Sequence, residues 1–306
     1  MRAMVYRRYG GPEVLEPAEL PEPKTHVDSV LVRVRAAALN PADLALQAGA
    51  LRGAVETYFP VVPGWDLAGV VERSGPAAPE FAPGDEVIGY VRGDVQRAHG
   101  GLAELVSADV RTLVRKPSAL SFAEASALPL AGLTAYQAIV HALEVRPGEI
   151  LLVHGAAGGV GSLAVQIGRS RGARVIGTVS ARDHGYVRTL GAEPVTYGEG
   201  SADRVRELAP DGADVVLDTV GGVLAATARA ARPGARVASI AEIGTPGVTP
   251  VFCRMDHADL TALARLAESG ALGVRVGATF PLEQAADAQR ALAAGGVPGK
   301  VVVVIA

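Results

Sequence analysis

Ile150-Leu-Leu-Val-His-Gly-Ala-Ala-Gly-Gly-Val-Gly-Ser-Leu-Ala-Val-Gln-Ile167 changes its periodicity halfway along. Ile150 to Val153 is an unbroken apolar run of strand length, closed by His154 and a series of small residues, so a buried strand running into a tight turn is expected. From Val160 the pattern is helical, since Val160, Leu163, Ala164 and Ile167 fall at i, i+3, i+4 and i+7 on one face. Arg169 and Arg171 suit the carboxyl end of that helix, and Gly172 supplies its stop. A second apolar run, Arg174-Val-Ile-Gly-Thr-Val179, completes a strand–turn–helix–strand unit of about thirty residues.

Within the turn, Ala156-Ala-Gly-Gly-Val-Gly161 matches the dinucleotide fingerprint G-x-G-x-x-G except for alanine at the first glycine position. A diphosphate must approach backbone N–H groups at the positive end of a helix, which a side chain at Gly158 or Gly159 would obstruct; Gly161 would let the helix pack close to the strand. Ala157, Gly158, Gly159 and Val160 are therefore the expected diphosphate cradle. The end of the next strand selects the cofactor. An NAD site wants a carboxylate roughly twenty residues beyond the glycines, on the ribose 2′-hydroxyl. This chain offers Thr178-Val-Ser-Ala-Arg182, with no acid at the strand end. Ser180 can donate a hydrogen bond and Arg182 can pair with a phosphate dianion, so NADPH is expected. Asp183 is the complication, and it weakens that expectation if its loop turns it inward.

Downstream, strands are expected at Pro194–Thr196, Asp214–Leu217 and Arg236–Ile240, separated by helical segments, which is the order of a doubly wound parallel sheet. Ser201 is placed to cap the helix carrying Val205 and Leu208. Upstream, the chain reads as short strands: Met1 to Tyr6, Val14 to Leu20, and Val30-Leu-Val-Arg-Val-Arg35 with Val30, Val32 and Val34 on one face. An antiparallel, barrel-like domain follows. Ala36-Ala-Ala-Leu-Asn-Pro-Ala-Asp-Leu44 breaks the pattern at an Asn-Pro turn, with Asp43 as a helix cap. Ser121-Phe-Ala-Glu124 is a capping-box pattern, and the chain closes on Lys300-Val-Val-Val-Val-Ile305, a buried strand.

At 306 residues, 49% of them hydrophobic, the chain can bury two cores; its net charge of −3 offers no basic stripe to nucleic acid or an anionic membrane. No run of eighteen apolar residues and no export segment is seen, and the single cysteine, Cys253, forbids an internal disulfide and any site of several thiolates. A reducing, cytoplasmic setting is the simplest expectation. The six histidines are scattered without ligand spacing, so no metal is expected.

Asn40-Pro-Ala-Asp43, Pro63-Gly-Trp-Asp-Leu-Ala-Gly-Val-Val71, Gly84-Asp-Glu-Val87, Gly101-Leu-Ala-Glu104, Leu133-Thr-Ala-Tyr136, the glycine turn, Leu190-Gly-Ala192, Leu217-Asp-Thr-Val-Gly-Gly222 and Gly299-Lys300 stand in the order and spacing of one family. Through them the chain resembles the medium-chain dehydrogenase/reductase superfamily, in its zinc-independent quinone oxidoreductase-like branch. The resemblance implies an α/β fold: a GroES-like, mostly antiparallel domain (1–118 and 268–306) interrupted by a Rossmann NADP-binding domain (119–267). It implies that Asn40 and Asp43 line the nicotinamide pocket. It also implies that Thr134, Tyr197, Ile240 and Phe252 join Ser180 and Arg182 around the cofactor, and that Asp218 shapes the loop beneath it. Zinc-dependent relatives carry a cysteine near Asn40 and a Gly-His-Glu near Gly64-Trp65-Asp66; neither thiol nor imidazole is here. The family often carries a tyrosine and an arginine just after the Asn-Pro-x-x-Asp turn, where this chain reads Leu44-Ala-Leu-Gln-Ala-Gly49. Tyr58 is then the candidate to reach the same cleft. The implied activity is reduction of a quinone or an α,β-unsaturated carbonyl by hydride transfer from NADPH. Apart from the resemblance, the apolar Val248–Phe252 stretch reads as an edge strand able to pair across a two-fold axis, so a homodimer is expected. A non-catalytic nucleotide-binding sensor, and an enoyl reductase for a carrier-bound acyl chain, stay open as alternatives.

Overall fold

The computed structural model describes every residue of the chain except Asp94. It divides into two compact units, Met1–Leu130 with Met255–Gly270 and Val274–Ala306, and Ala131–Arg254 with Ala271–Gly273. In chain order the elements are β1 (Arg2–Val5), β2 (Glu16–Glu19), β3 (Ser29–Leu39), α1 (Pro41–Gln47), β4 (Thr57–Val62), β5 (Asp66–Ser74), β6 (Glu86–Tyr90), β7 (Gln96–Ala98), β8 (Leu105–Asp109), β9 (Leu113–Arg115), α2 (Phe122–Ser126) and α3 (Pro129–Tyr136). There follow β10 (Ile150–His154), α4 (Gly159–Ser170), β11 (Arg174–Val179), α5 (His184–Thr189), β12 (Glu193–Thr196), α6 (Ser201–Leu208), β13 (Ala213–Asp218), α7 (Leu224–Ala230), β14 (Ala231–Ser239), β15 (Thr249–Pro250), α8 (His257–Glu268), β16 (Val276–Pro281), α9 (Ala285–Ala294) and β17 (Lys300–Val304). Among the described residues no helix is long and apolar enough to cross a membrane.

The first unit is built on a seven-stranded, mostly antiparallel sheet in the order β16-β17-β3-β5-β6-β9, with β8 also paired to β3. β3 is its spine. Val30, Val32 and Val34 enter one apolar cluster together with Val301 and Val303 of β17. The strand runs on through Ala36, Ala37, Ala38 and Leu39 instead of ending at Arg35, because β17 pairs it antiparallel from Ala36 to Leu39. A ladder partner outweighs alanine's weak strand propensity, and the small side chains of Ala36 and Ala38 pack with Ala127 and Val302. Register has a further consequence: Val301 lies opposite Leu39, which brings Lys300 level with Asn40.

The second unit holds a six-stranded sheet in the order β12-β11-β10-β13-β14-β15, and every pairing in it is parallel. Numbered from β10, this is the doubly wound order 3-2-1-4-5-6, whose direction of winding reverses between β10 and β13 and opens a crevice at their carboxyl ends. Leu151, Leu152, Val153, Val215, Val216 and Leu217 are all buried, as expected of strands covered on both faces. The units divide at Leu130 and Met255 rather than at residues 118 and 268, and within the second unit β14 and α6 start differently from the sequence reading. β14 begins at Ala231 rather than Arg236, since Ala231 already pairs with Ala213 across an irregular register. Ser201 is the first helical residue of α6, and Gly200, at φ +69°, holds the cap position.

Candidate functional site

The turn after β10 is shaped by backbone crowding. Gly155 takes φ +77°, and a Cβ there would lie 2.6 Å from both Thr219 Oγ1 and Val220 Cγ1. Gly155 thus does the turning that the fingerprint assigns to its first glycine, one residue early. Ala156, at the nominal first position, is fully buried, and its methyl fills the space above Gly177 of β11, where an added Cβ would come within 2.5 Å of it. Gly158 caps α4 and donates its N–H to Gly155 O at 3.0 Å; a Cβ on it would meet only that oxygen, at 3.3 Å. Gly161 is tighter, since its Cβ would stand 2.1 Å from Gly155 O. Ala157, Gly158, Gly159 and Val160 therefore form the open rim of a turn pressed against its own helix, with that helix's first N–H groups directed outward. A diphosphate fits such a rim.

At the end of β11 the structure brings Ser180, Arg182 and Asp183 together. Ser180 Oγ donates to Asp183 Oδ2 at 2.8 Å, and Arg182 Nε donates to the same oxygen at 3.3 Å. Tyr197 follows β12, is 64% exposed, and donates its N–H to Val179 O at 3.2 Å, so it stands beside the same strand end.

Across the crevice, Asp218 is fully buried at the end of β13. Its Oδ1 accepts the N–H groups of Val220 and Gly221, and its Oδ2 accepts Ser239 Oγ, whose oxygen accepts in turn from Ala241 and Glu242 N–H. One carboxylate thus fixes two loops, the shaping role expected of it. Ile240 donates its N–H to Asp218 O at 3.1 Å, and Val251 donates to Ser239 O, leaving Phe252 63% exposed. Thr134 is buried in α3. His154 spans Thr178 Oγ1 and Thr227 Oγ1 at 3.2 and 3.0 Å, and burial lowers its pKa, favouring the neutral ring, against the pull of Asp218.

The first unit holds a second polar centre. Asn40 occupies the cap position of α1 and donates its backbone N–H to Asp43 Oδ2 at 2.8 Å, so Asn40 is the cap, in place of the expected Asp43, which stands at the third helical position as its partner. The Asn40 amide is gripped on both sides. Its Nδ2 donates to Asp66 Oδ2 at 2.9 Å, while Lys300 Nζ donates to its Oδ1 and lies 4.0 Å from Asp66 Oδ2. Asp66 Oδ1 accepts the Leu130 N–H at 2.8 Å. All four side chains are buried. Burial pushes the Asp43 carboxyl up to about 6, against the pull of the Asn40 N–H and Lys300. It pushes Asp66 up to about 7, against Lys300 and Asn40, and pushes the Lys300 ammonium down. Lys300 and Asp66 were not among the expected site residues; the available signal was a lysine heading an otherwise all-valine strand whose first four residues are buried. Tyr58, the candidate for the same cleft, is 59% exposed on β4, and its hydroxyl donates to Glu56 at 2.6 Å.

Comparison with known proteins bears on these geometries. Residues 26–118 match the model of the alcohol dehydrogenase GroES-like domain, and residues 190–303 that of the zinc-binding dehydrogenase family. Among the described residues no group of three or more His, Cys, Asp or Glu is placed to hold a metal ion. The chain is 34% identical over 312 residues to an NADPH-dependent alkenal/one oxidoreductase of Arabidopsis thaliana, covering 99% of this chain and 79% of the relative. It is 29% identical to the human quinone oxidoreductase, covering 100% and 98% of the two. A crystal structure of an NAD-dependent alcohol dehydrogenase superposes with a TM-score of 0.91 at 35% identity, over 100% of both chains. Matched in both halves and shared along its length, the chain belongs to the medium-chain dehydrogenase/reductase superfamily, in the quinone oxidoreductase-like branch, and is an oxidoreductase.

Proposed function

We propose that this protein is a zinc-independent, NADPH-dependent reductase of conjugated acceptors, either quinones or α,β-unsaturated carbonyls. The observation that carries the reading is the Lys300 centre: the buried Asn40 amide and Asp66 carboxylate already share a tethered cation. Substrates whose own conjugation spreads the charge left by hydride transfer suit such a site, whereas an isolated ketone needs polarisation from elsewhere. The names of two relatives, alkenal/one and quinone oxidoreductase, support the same class. NADPH, when bound, supplies the hydride. The chain's part is to hold and aim: the 156–161 turn receives the diphosphate, and Ser180, Arg182 and Tyr197 receive the adenosine phosphate. Thr134, Ile240 and Phe252 line the cofactor's course. Asn40, with its amide held by Lys300 and Asp66, meets a substrate oxygen that gains charge, and water completes protonation.

NADPH consumption across a panel of quinones, enones and matched saturated ketones tests the substrate class. Turnover is expected with the conjugated members only; alcohol oxidation that depends on added zinc would overturn the reading. For the cofactor, Arg182→Ala is expected to raise the Michaelis constant for NADPH by about tenfold or more, as befits loss of a charge-assisted hydrogen bond, with little change for NADH. Equal effects on both would remove Arg182 from the phosphate site.

A further inference from the structure

We propose that Asp183 sets the nucleotide preference of this protein, admitting NADH alongside NADPH by accepting from an unphosphorylated ribose and by contesting Ser180 and Arg182 with a 2′-phosphate. The inference rests on the reading that the nucleotide binds at the carboxyl ends of β10 and β11. In sequence the acid that holds a ribose 2′-hydroxyl is missing from the strand end, but in space it is present. The turn Ala181–Asp183 is closed by the Asp183 N–H donating to Ser180 O at 3.0 Å, and this folds the carboxylate back onto the strand end. There its Oδ2 accepts from both Ser180 Oγ and Arg182 Nε, the two groups that would otherwise meet a phosphate. The Asp183 side chain is only 12% exposed, whereas that of Arg182 is 65% exposed. The carboxylate is thus the settled member of the pair and the guanidinium the outlying one.

Two consequences follow from charge and hydrogen-bond capacity. Arg182 and Asp183 offset each other, so a phosphate dianion gains the cation only by lying against a carboxylate, and like charges at contact distance oppose binding. A ribose hydroxyl meets no such opposition and finds in Asp183 the acceptor that NAD sites provide. Asp183→Asn keeps the shape of the side chain and removes its charge.

The test compares wild type, Asp183→Asn and Arg182→Ala for kcat/KM with each nucleotide. It also compares calorimetric binding of 5′-AMP and adenosine 2′,5′-bisphosphate, which needs no turnover. Wild type is expected to bind the two adenosine ligands within about tenfold of each other, and Asp183→Asn to raise the NADPH-to-NADH ratio by about tenfold or more, the scale of one charge-assisted contact. If Asp183→Asn leaves that ratio unchanged while Arg182→Ala lowers it, the role of Asp183 is refuted and the nucleotide site stands. If neither variant moves it, the nucleotide site itself is misplaced and the inference falls with it. Should Asp183→Asn fail to fold, a wild-type preference for the bisphosphate beyond about a hundredfold refutes the proposal on its own.

Discussion

Replacing Lys300 by methionine is expected to destabilise the protein by about 3–5 kcal/mol at pH 8, because it leaves two carboxyl groups buried without their cation. The size of the effect follows from burial: Lys300 is 7% exposed, Asp43 3% and Asp66 not at all. Its pH dependence follows from the direction of the shifts. Asp43 and Asp66 are raised, to about 6 and about 7, so the folded chain holds their protons more tightly than the unfolded one. The stability they contribute is complete below about pH 4 and is lost as pH rises through those two values. Without the ammonium both values rise further, and the loss on the alkaline side grows. Lys300 works in the opposite sense: its lowered pKa means that the folded state resists its charge, a cost felt as pH falls and absent from the variant. The gap between variant and wild type should therefore be wide at pH 8 and narrow at pH 5 in urea melts. A gap that is equal at both pH values would show that Lys300 acts by packing alone. Adding Asp66→Asn to Lys300→Met should recover part of the loss, and the double-mutant cycle measures how much of it is the pair.

The second large effect is expected at Gly161. Gly161→Ala would place a methyl 2.1 Å from Gly155 O, 2.8 Å from Gly155 C and 3.1 Å from Ala156 Cα. All three are backbone atoms, so no rotamer change relieves the clash and α4 must lift away from the turn, taking the buried Leu163 and Ala164 with it. Overpacking of this kind costs about 1–3 kcal/mol. The gain of alanine over glycine inside a helix, at most about 1 kcal/mol, offsets only part of it. We expect a lower melting temperature and no detectable NADPH uptake by calorimetry. Gly158→Ala is the contrast. Its φ of −74° suits any residue and its nearest neighbour is 3.3 Å away, so stability should hold while the methyl intrudes on the open rim and weakens nucleotide binding. A Gly161→Ala protein that melts and binds like wild type would show that the turn tolerates being opened.

The second unit was legible because its signals are local. The run Ile150–Val153, the helical spacing from Val160 and the strand Arg174–Val179 each declare themselves within a few residues, and the structure places β10, α4 and β11 accordingly. The extension of β3 through three alanines was not legible, because it depends on β17, more than two hundred and fifty residues away in sequence. The same distance hid Lys300, which reads as the start of a strand until the register sets it beside Asn40. Asp183 was visible as a residue and even as a difficulty, but whether its turn carried it inward was a matter of a single backbone hydrogen bond.

The insertion of β17 between β16 and β3 also orders events at the ribosome. The whole of the second unit is synthesised before β17 exists, so a nascent chain can complete its parallel sheet while β3 still shows a bare edge from Ala36 to Leu39. Such an edge invites pairing with other chains until β17 arrives. The same late segment brings the ammonium that quiets two carboxyl groups, so the electrostatic centre of the first unit is assembled only after the second unit has been made.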